Sequence, residues 1–322
     1  VSECAHNHQG GEAQEVVERL TANRTFPHGG KDPTGTTKLR DRYAGEMYRR
    51  FRALKGLVRQ VVVEDDAFNL KSEERLSGSR AEQRGAAQER DRFGMKPPRN
   101  GFDFPNDARK IEEFSEWLDA QVDKGILERV QHNRGARDSW QHTYIRNAYR
   151  KGVEHAEQAM QSEGIASASE VSADAFNAPR HTDAAQMLYA RAYRELDGVT
   201  AKMGQEMSRT LAEGLTQGKN PRAVARDLND RVDKVGIRRG RLIARTETIR
   251  AHNEGALNRY QDFEKRMDGV TVKAEWSTAA DARVCPRCAM LEGRRFKMKE
   301  ARGLIPLHPL CRCTVIPVRQ NT

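Results

Sequence analysis

The chain has 322 residues, room for one to three domains, of which 37% are hydrophobic and 32% charged. A mean hydropathy of −0.84 is low for one compact globule and points to long solvated helices or disordered stretches beside a modest core. The net charge of +10 fits a polyanionic neighbour, most often nucleic acid, and equally a surface that is merely basic, because the positive charge is spread along the chain and mixed with acids.

No apolar run approaches the roughly 18–20 residues needed to span a bilayer, so no membrane partner is expected. No charged start followed by an apolar core reads as a signal peptide. The five cysteines are an odd number, which argues against a disulfide framework and for synthesis in a reducing compartment. The chain opens on Val1, so its numbering is expected to begin inside a longer gene product or after processing.

Residues 1–37 are rich in Gly, His, Asn, Thr and Pro and read as a flexible arm with one short helical candidate, Glu12–Asn23. Residues 38–106 begin with a helical pattern. It ends in Leu57-Val58-Arg59-Gln60-Val61-Val62-Val63, a strand or a buried helix end, before a charged linker with Pro97-Pro98. Residues 107–178 form a helical region. Ile111, Phe114, Leu118 and Val122 make one apolar stripe, and Trp140, Tyr144, Ala148 and Ala156 belong to a second helix that Gly164 stops.

Residues 179–268 carry three helices joined by short turns. The first is capped by Thr182 and runs to about Gly218. The second opens on Asn220-Pro221 and is broken by Gly236. The third runs from Arg238 to about Met267. On the third, Glu247 is placed to pair with Arg250 and Arg250 with Glu254, as a surface lattice or as a buried network holding the helix to the C-terminal module.

After Gly269 the apolar period drops to two, with Val270, Val272, Ala274 and Trp276 on one face of a strand. Arg294–Met298 and Thr314–Val318 are also strand-like, so residues 269–322 read as a small β-rich module. The fold class is therefore mainly α, an elongated helical bundle closed by a small C-terminal β-rich knuckle module.

That module holds Cys285-Pro-Arg-Cys288 and His308-Pro-Leu-Cys311-Arg-Cys313. A two-residue spacer turns two thiolates toward one point, and the 19 residues between Cys288 and His308 lie within the usual span between zinc half-sites. Cys285, Cys288 and Cys311 are the firmest ligands, and the fourth is His308, slightly favoured, or Cys313. Four protein ligands leave no open position, so the expected Zn2+ is structural and would supply much of the module's folding energy. Reduced thiols or disulfides are the competing reading. Thr278 and Asp281 read as turn formers leading into the first knuckle, since no second acid or histidine lies at a natural distance from Asp281. Basic patches occur at Arg238-Arg239-Gly240-Arg241 and at Arg294-Arg295-Phe296-Lys297-Met298-Lys299. In the second, Arg294 leads Arg295, Lys297 and Lys299, which alternate along an expected strand and would share one face, either simply solvated, the commoner case, or used for phosphate contacts.

The order of these elements is more specific than any one of them. Ile243-Ala-Arg-Thr-Glu-Thr-Ile-Arg-Ala-His-Asn253 precedes Trp276-Ser-Thr, Asp281, Val284-Cys-Pro-Arg-Cys288 and Leu291-Glu-Gly-Arg, and the chain closes on Pro306-Leu-His-Pro-Leu-Cys-Arg-Cys-Thr314. Over about residues 182–318 this resembles the phage head morphogenesis, or minor head protein, family called Mu F-like; residues 1–106 carry no matching motif.

The resemblance implies a non-enzymatic virion component made in the host bacterial cytoplasm. It would lie inside the capsid near the portal vertex and act in procapsid assembly and in DNA packaging or ejection. Its implied partners are the portal protein, the major capsid or scaffolding protein, and double-stranded DNA held by non-specific charge. Two alternatives remain: a zinc-dependent nucleic-acid-binding protein, and a small metal nuclease of the His-Asn-His kind. The nuclease needs a further histidine or asparagine at the metal, and His308 is the only histidine after His252.

Overall fold

The computed structural model describes residues 32–70, 90–134, 139–167, 175–267 and 269–320. Residues 1–31 of the expected arm, with Glu12–Asn23 and Cys4, lie outside them, as do 71–89 of the charged linker and 168–174 of the Ser/Ala-rich connection. The fold is mainly helical with one small C-terminal sheet. Among the described residues, no helix is long and apolar enough to cross a membrane.

The described residues fall into two compact units. One comprises the described residues of 43–139 and 191–243; the other comprises those of 32–42, 140–190 and 244–320.

In the former, α1 (Thr37–Arg59) buries Tyr43, Met47, Phe51, Leu54 and Val58 on one face and continues into a π-helical turn, Gln60–Glu64. The β-branched run Val61-Val62-Val63 is thus a buried helix end, since the π-helical turn lets all three side chains reach the core. Asn106 caps α2 (Asp107–Gly125), its Oδ1 accepting from the Ala108 N–H at 2.8 Å. Phe114, Leu118 and Val122 of its stripe are buried, and Phe114 packs with Phe68, Phe102 and Trp117. A short α3 (Arg129–Asn133) comes next, where His132 stacks on Tyr193 at 3.7 Å.

Asn220 caps α6 (Pro221–Arg231) through the Ala223 N–H, as its Asn-Pro start implies. Gly236 does not break the helical path beyond α6. Val232–Ile237 is a π-helical turn that passes into α7 (Arg238–Arg266). The glycine is needed for packing, because a Cβ there would sit 2.6 Å from the Phe51 ring and 2.9 Å from the Met203 sulfur.

The other unit is built on α4 (Trp140–Ser162), the start of α5 (Pro179–Thr216) and most of α7. Gly164, at φ +64°, lets the chain leave α4 as expected. Thr182 lies inside the first turn of α5, donating to the Pro179 carbonyl at 2.8 Å; Pro179, with its fixed φ, opens that helix three residues earlier. Helices α4 and α7 meet backbone to backbone. A Cβ on Gly152 would lie 1.9 Å from the His252 carbonyl oxygen, and one on Gly255 2.3 Å from that of Tyr149. Beside this contact the buried Tyr149 hydroxyl lies 2.7 Å from His181 Nδ1, and His181 Nε2 lies 2.9 Å from Asp262. Burial holds the Tyr149 hydroxyl protonated and lowers the His181 pKa.

The sheet is antiparallel, in the order β2 (Arg295–Phe296), β1 (Thr271–Ser277), β3 (Thr314–Gln320). Trp276 pairs with Val315 and is fully buried. The inner face of β1 joins Ile249, Leu257, Tyr260 and Phe263 of α7 and Ala156 and Met160 of α4 in one core, which also includes Cys288, Cys311 and Cys313.

Candidate metal centre

Two knuckles meet at one end of this sheet, where Ser277, the last residue of β1, pairs with Thr314, the first of β3. After β1 the chain turns through Ala280 at φ +48° and Asp281, whose Oδ1 accepts the Arg283 N–H at 3.0 Å, the turn-forming role expected of it. The Thr278 N–H is held by buried Glu292 at 2.7 Å, which ties the loop's start to its end. Cys285 then caps the single turn α8 (Pro286–Ala289), and the Ala289 N–H donates back to the Cys285 carbonyl at 3.0 Å. That closure places Cys288 beside Cys285. In the second knuckle Leu310 adopts φ +67° and the Cys311 N–H donates to the His308 carbonyl at 3.1 Å, folding His308 and Cys311 to one side.

The donors meet through Cys288. His308 Nε2 lies 3.2 Å from the Cys285 sulfur and 3.3 Å from that of Cys288, and the Cys288 and Cys311 sulfurs are 3.9 Å apart. The five donors form two overlapping triads, Cys285–Cys288–His308 and Cys288–Cys311–Cys313, within each of which the ligand atoms lie within 4.8 Å of one another. These four cysteines are free thiols. Tetrahedral zinc with Zn–S near 2.3 Å and Zn–N near 2.0 Å has ligand–ligand edges of about 3.5–3.8 Å. The observed separations fall close to those edges and well beyond the roughly 2.05 Å of a disulfide.

His308 Nδ1 faces the Pro309 carbonyl at 2.7 Å. A proton held there leaves the Nε2 lone pair directed at the two sulfurs, the orientation a metal-bound imidazole takes. In the inner triad, the thiol hydrogen bonds from Cys288 first and Cys313 second lower the Cys311 pKa, while the contacts to Cys311 and Cys313 and burial push Cys288 up.

Three supporting groups were not evident as such in the sequence. Arg312, between Cys311 and Cys313, grips Asp281 with both Nη atoms, one at 2.7 Å, and so joins the second knuckle to the loop before the first. Burial opposes ionisation of Asp281, but the Arg312 fork and the Arg283 N–H outweigh it and hold the carboxyl at about 2. Asn253 of α7 donates to the Cys313 carbonyl at 3.3 Å and accepts from Thr314 Oγ1 at 3.2 Å and the Val315 N–H at 3.1 Å. Arg302 reaches Glu254 at 2.8 Å and Asn258 at 2.6 Å.

The expected ion pairs on α7 are therefore half right. Glu247 pairs with Arg250 at 3.3 Å, but Glu254 turns to Arg302, which makes it a tie to the metal module instead of a lattice member. His252 packs against His155, rings 5.1 Å apart, in the α4–α7 contact rather than among the metal donors.

The expected basic strand face does not form. The strand ends at Phe296, Lys297 begins the short α9 (Met298–Ala301) that contains Lys299, and Arg295 is drawn to buried Glu275 at 2.9 Å. Arg294, Arg295, Lys297 and Lys299 are all exposed, but they do not alternate along one strand. The helical turn wins because Met298 and Ala301 both bury into the core from it.

Comparison with curated proteins and with solved structures gives no match. A family match covers residues 205–316, from within α5 through α6, α7 and both knuckles into β3. The matched stretch thus includes Asn253, Asp281, Arg302 and all five metal donors, and over residues 205–316 the chain is similar to the family described as Phage Mu protein F like protein.

Proposed function

We propose that this protein is an internal component of the phage head, located at the portal vertex beside the packaged DNA and acting in procapsid assembly and in DNA packaging or ejection. The observation that supports this reading is the family match over the α7 helix and the metal module together. Similarity to a phage head family implies a place in the virion and contact with other virion proteins. The portal protein is the partner proposed here, with the major capsid or scaffolding protein as a further contact.

Within that reading, the cluster is a structural Zn2+ site with Cys285, Cys288, His308 and Cys311 as ligands and Cys313 packed beside them. Four such ligands fill a tetrahedral sphere, so the role proposed is to fasten the β module to α7, not to catalyse. Asp281, Arg312 and Asn253 hold the ligand loops in register, as outer partners of metal ligands do.

Asymmetric reconstruction of the intact particle tests the location. Density for this chain at a single vertex is the expected result. Uniform placement over the shell, or absence from the particle, would overturn the portal reading.

A further inference from the structure

The unit formed by the described residues of 43–139 and 191–243 carries a set of arginines that neither its core nor the metal centre uses. On α1, Tyr48, Arg52, Lys55 and Arg59 recur at spacings of three and four, on the face next to the one that buries Met47, Phe51, Leu54 and Val58. The adjoining start of α7 presents Arg238, Arg239 and Arg241.

Three contacts set these two rows side by side. The Arg241 guanidinium lies 4.7 Å over the Tyr48 ring. Lys55 Nζ meets Asp233 at 2.6 Å. Gly240 lets the helices close, because a Cβ there would already touch the Phe51 ring at 3.0 Å.

The face is rich in arginine, with the exposed acids Asp233 at its edge and Glu64 and Asp65 beyond its Arg59 end. Arg52, Arg59, Arg238, Arg239 and Arg241 are all exposed. The nearby acids are engaged locally, Glu46 by Arg49 and Arg50 and Asp233 by Lys55. Among the described residues, no carboxylate pairs with Arg59, Arg238, Arg239 or Arg241.

We infer that this two-helix arginine face binds the phosphate backbone of double-stranded DNA without reading its sequence. The inference rests on the proposed placement beside packaged DNA, and it assigns the contact to helices in place of the residues around β2. Guanidinium forks match phosphate oxygens in pairs, and the row from Tyr48 to Arg59 extends about 16 Å along its axis. At a rise of roughly 3.4 Å per phosphate, that length lies against several phosphates of one strand. An acidic protein surface would offer no such regular row of anions.

The test is binding of the full chain to a fluorescent 30-base-pair duplex of mixed sequence across a salt series. The variant Arg52→Gln/Arg238→Gln/Arg239→Gln/Arg241→Gln is expected to bind roughly tenfold or more weakly at 0.1 M salt, with the log–log salt slope smaller by about 3. The matching four-fold Arg→Lys variant retains the slope, which separates lost charge from lost folding. The variant Arg294→Gln/Arg295→Gln/Lys297→Gln/Lys299→Gln stays within a few-fold of the unchanged chain. The inference is overturned if the helix variant binds like the unchanged chain, if binding is insensitive to salt, or if the loss appears in the second variant instead. A chain found at the portal vertex whose helix variant still binds DNA would refute this surface alone. A chain absent from the particle whose binding needs these arginines would refute the head placement alone.

Discussion

Asn253→Ala removes the one side chain that joins α7 to the strand leaving the metal cluster. Asn253 is 1% exposed and makes four hydrogen bonds: Nδ2 to the Ile249 and Cys313 carbonyls at 2.9 and 3.3 Å, and Oδ1 from Thr314 Oγ1 and the Val315 N–H at 3.2 and 3.1 Å. Because the sheet order is β2-β1-β3, β3 is an edge strand, and Asn253 satisfies the outward backbone groups at its start. Alanine strands the Val315 N–H and the Cys313 carbonyl away from water. At ~1–3 kcal/mol for each buried group left without a partner, the expected loss is roughly 3 kcal/mol. For a protein of this size that lowers the unfolding midpoint by roughly 4–5 °C. Thermal unfolding followed by circular dichroism reads it. Arg245→Ala, which cuts only an exposed pair with Asp41 at 3.6 Å, serves as the near-neutral control. An Asn253→Ala midpoint within a degree or two of the control would refute the clamp.

Two glycines on helices should respond in opposite directions. Gly152→Ala drives a Cβ into the His252 carbonyl and is expected to cost at least about 3 kcal/mol, whereas Gly198→Ala meets nothing within 4 Å and should stabilise α5 by roughly 0.5–1 kcal/mol; chemical denaturation measures both. The folded-state pKa of Asp281 is held at about 2, below the ordinary aspartate value of 3.8, so its stabilisation is present above pH 3.8 and is lost as pH falls toward 2. Asp281→Asn should therefore flatten the acid limb of the stability curve in that window, and an unchanged limb would count against the Arg312 fork. His308→Ala is expected to lower zinc affinity by roughly a hundredfold or more in chelator competition, while Cys313→Ser retains one zinc per chain; the reverse pattern would give the fourth position to Cys313.

Much of this arrangement was legible because the sequence signals were local. Asn220-Pro221 announced the start of α6, Gly164 the end of α4, and the two-residue period through Val272, Ala274 and Trp276 the central strand. The knuckles were readable from Cys285-x-x-Cys288 and His308-x-x-Cys311 for the same reason.

The hidden features depended on contacts distant in sequence. Gly236 looks like a helix breaker until Phe51 is placed against it. Arg295 to Lys299 alternates like a strand until the core takes Met298 and Ala301 from a helical turn. Arg302, Arg312 and Asn253 gave no separate signal, because their partners lie 48, 31 and up to 62 residues away.

Zinc K-edge absorption spectroscopy on the full chain, purified under reducing conditions and paired with metal quantification, tests the fastening role of the cluster most directly. The expected result is one zinc per chain with three sulfur neighbours near 2.3 Å and one nitrogen near 2.0 Å, roughly the distances of tetrahedral zinc. A chain that folds fully while binding no zinc would contradict that role, and a shell of four sulfurs would exclude His308 as a ligand.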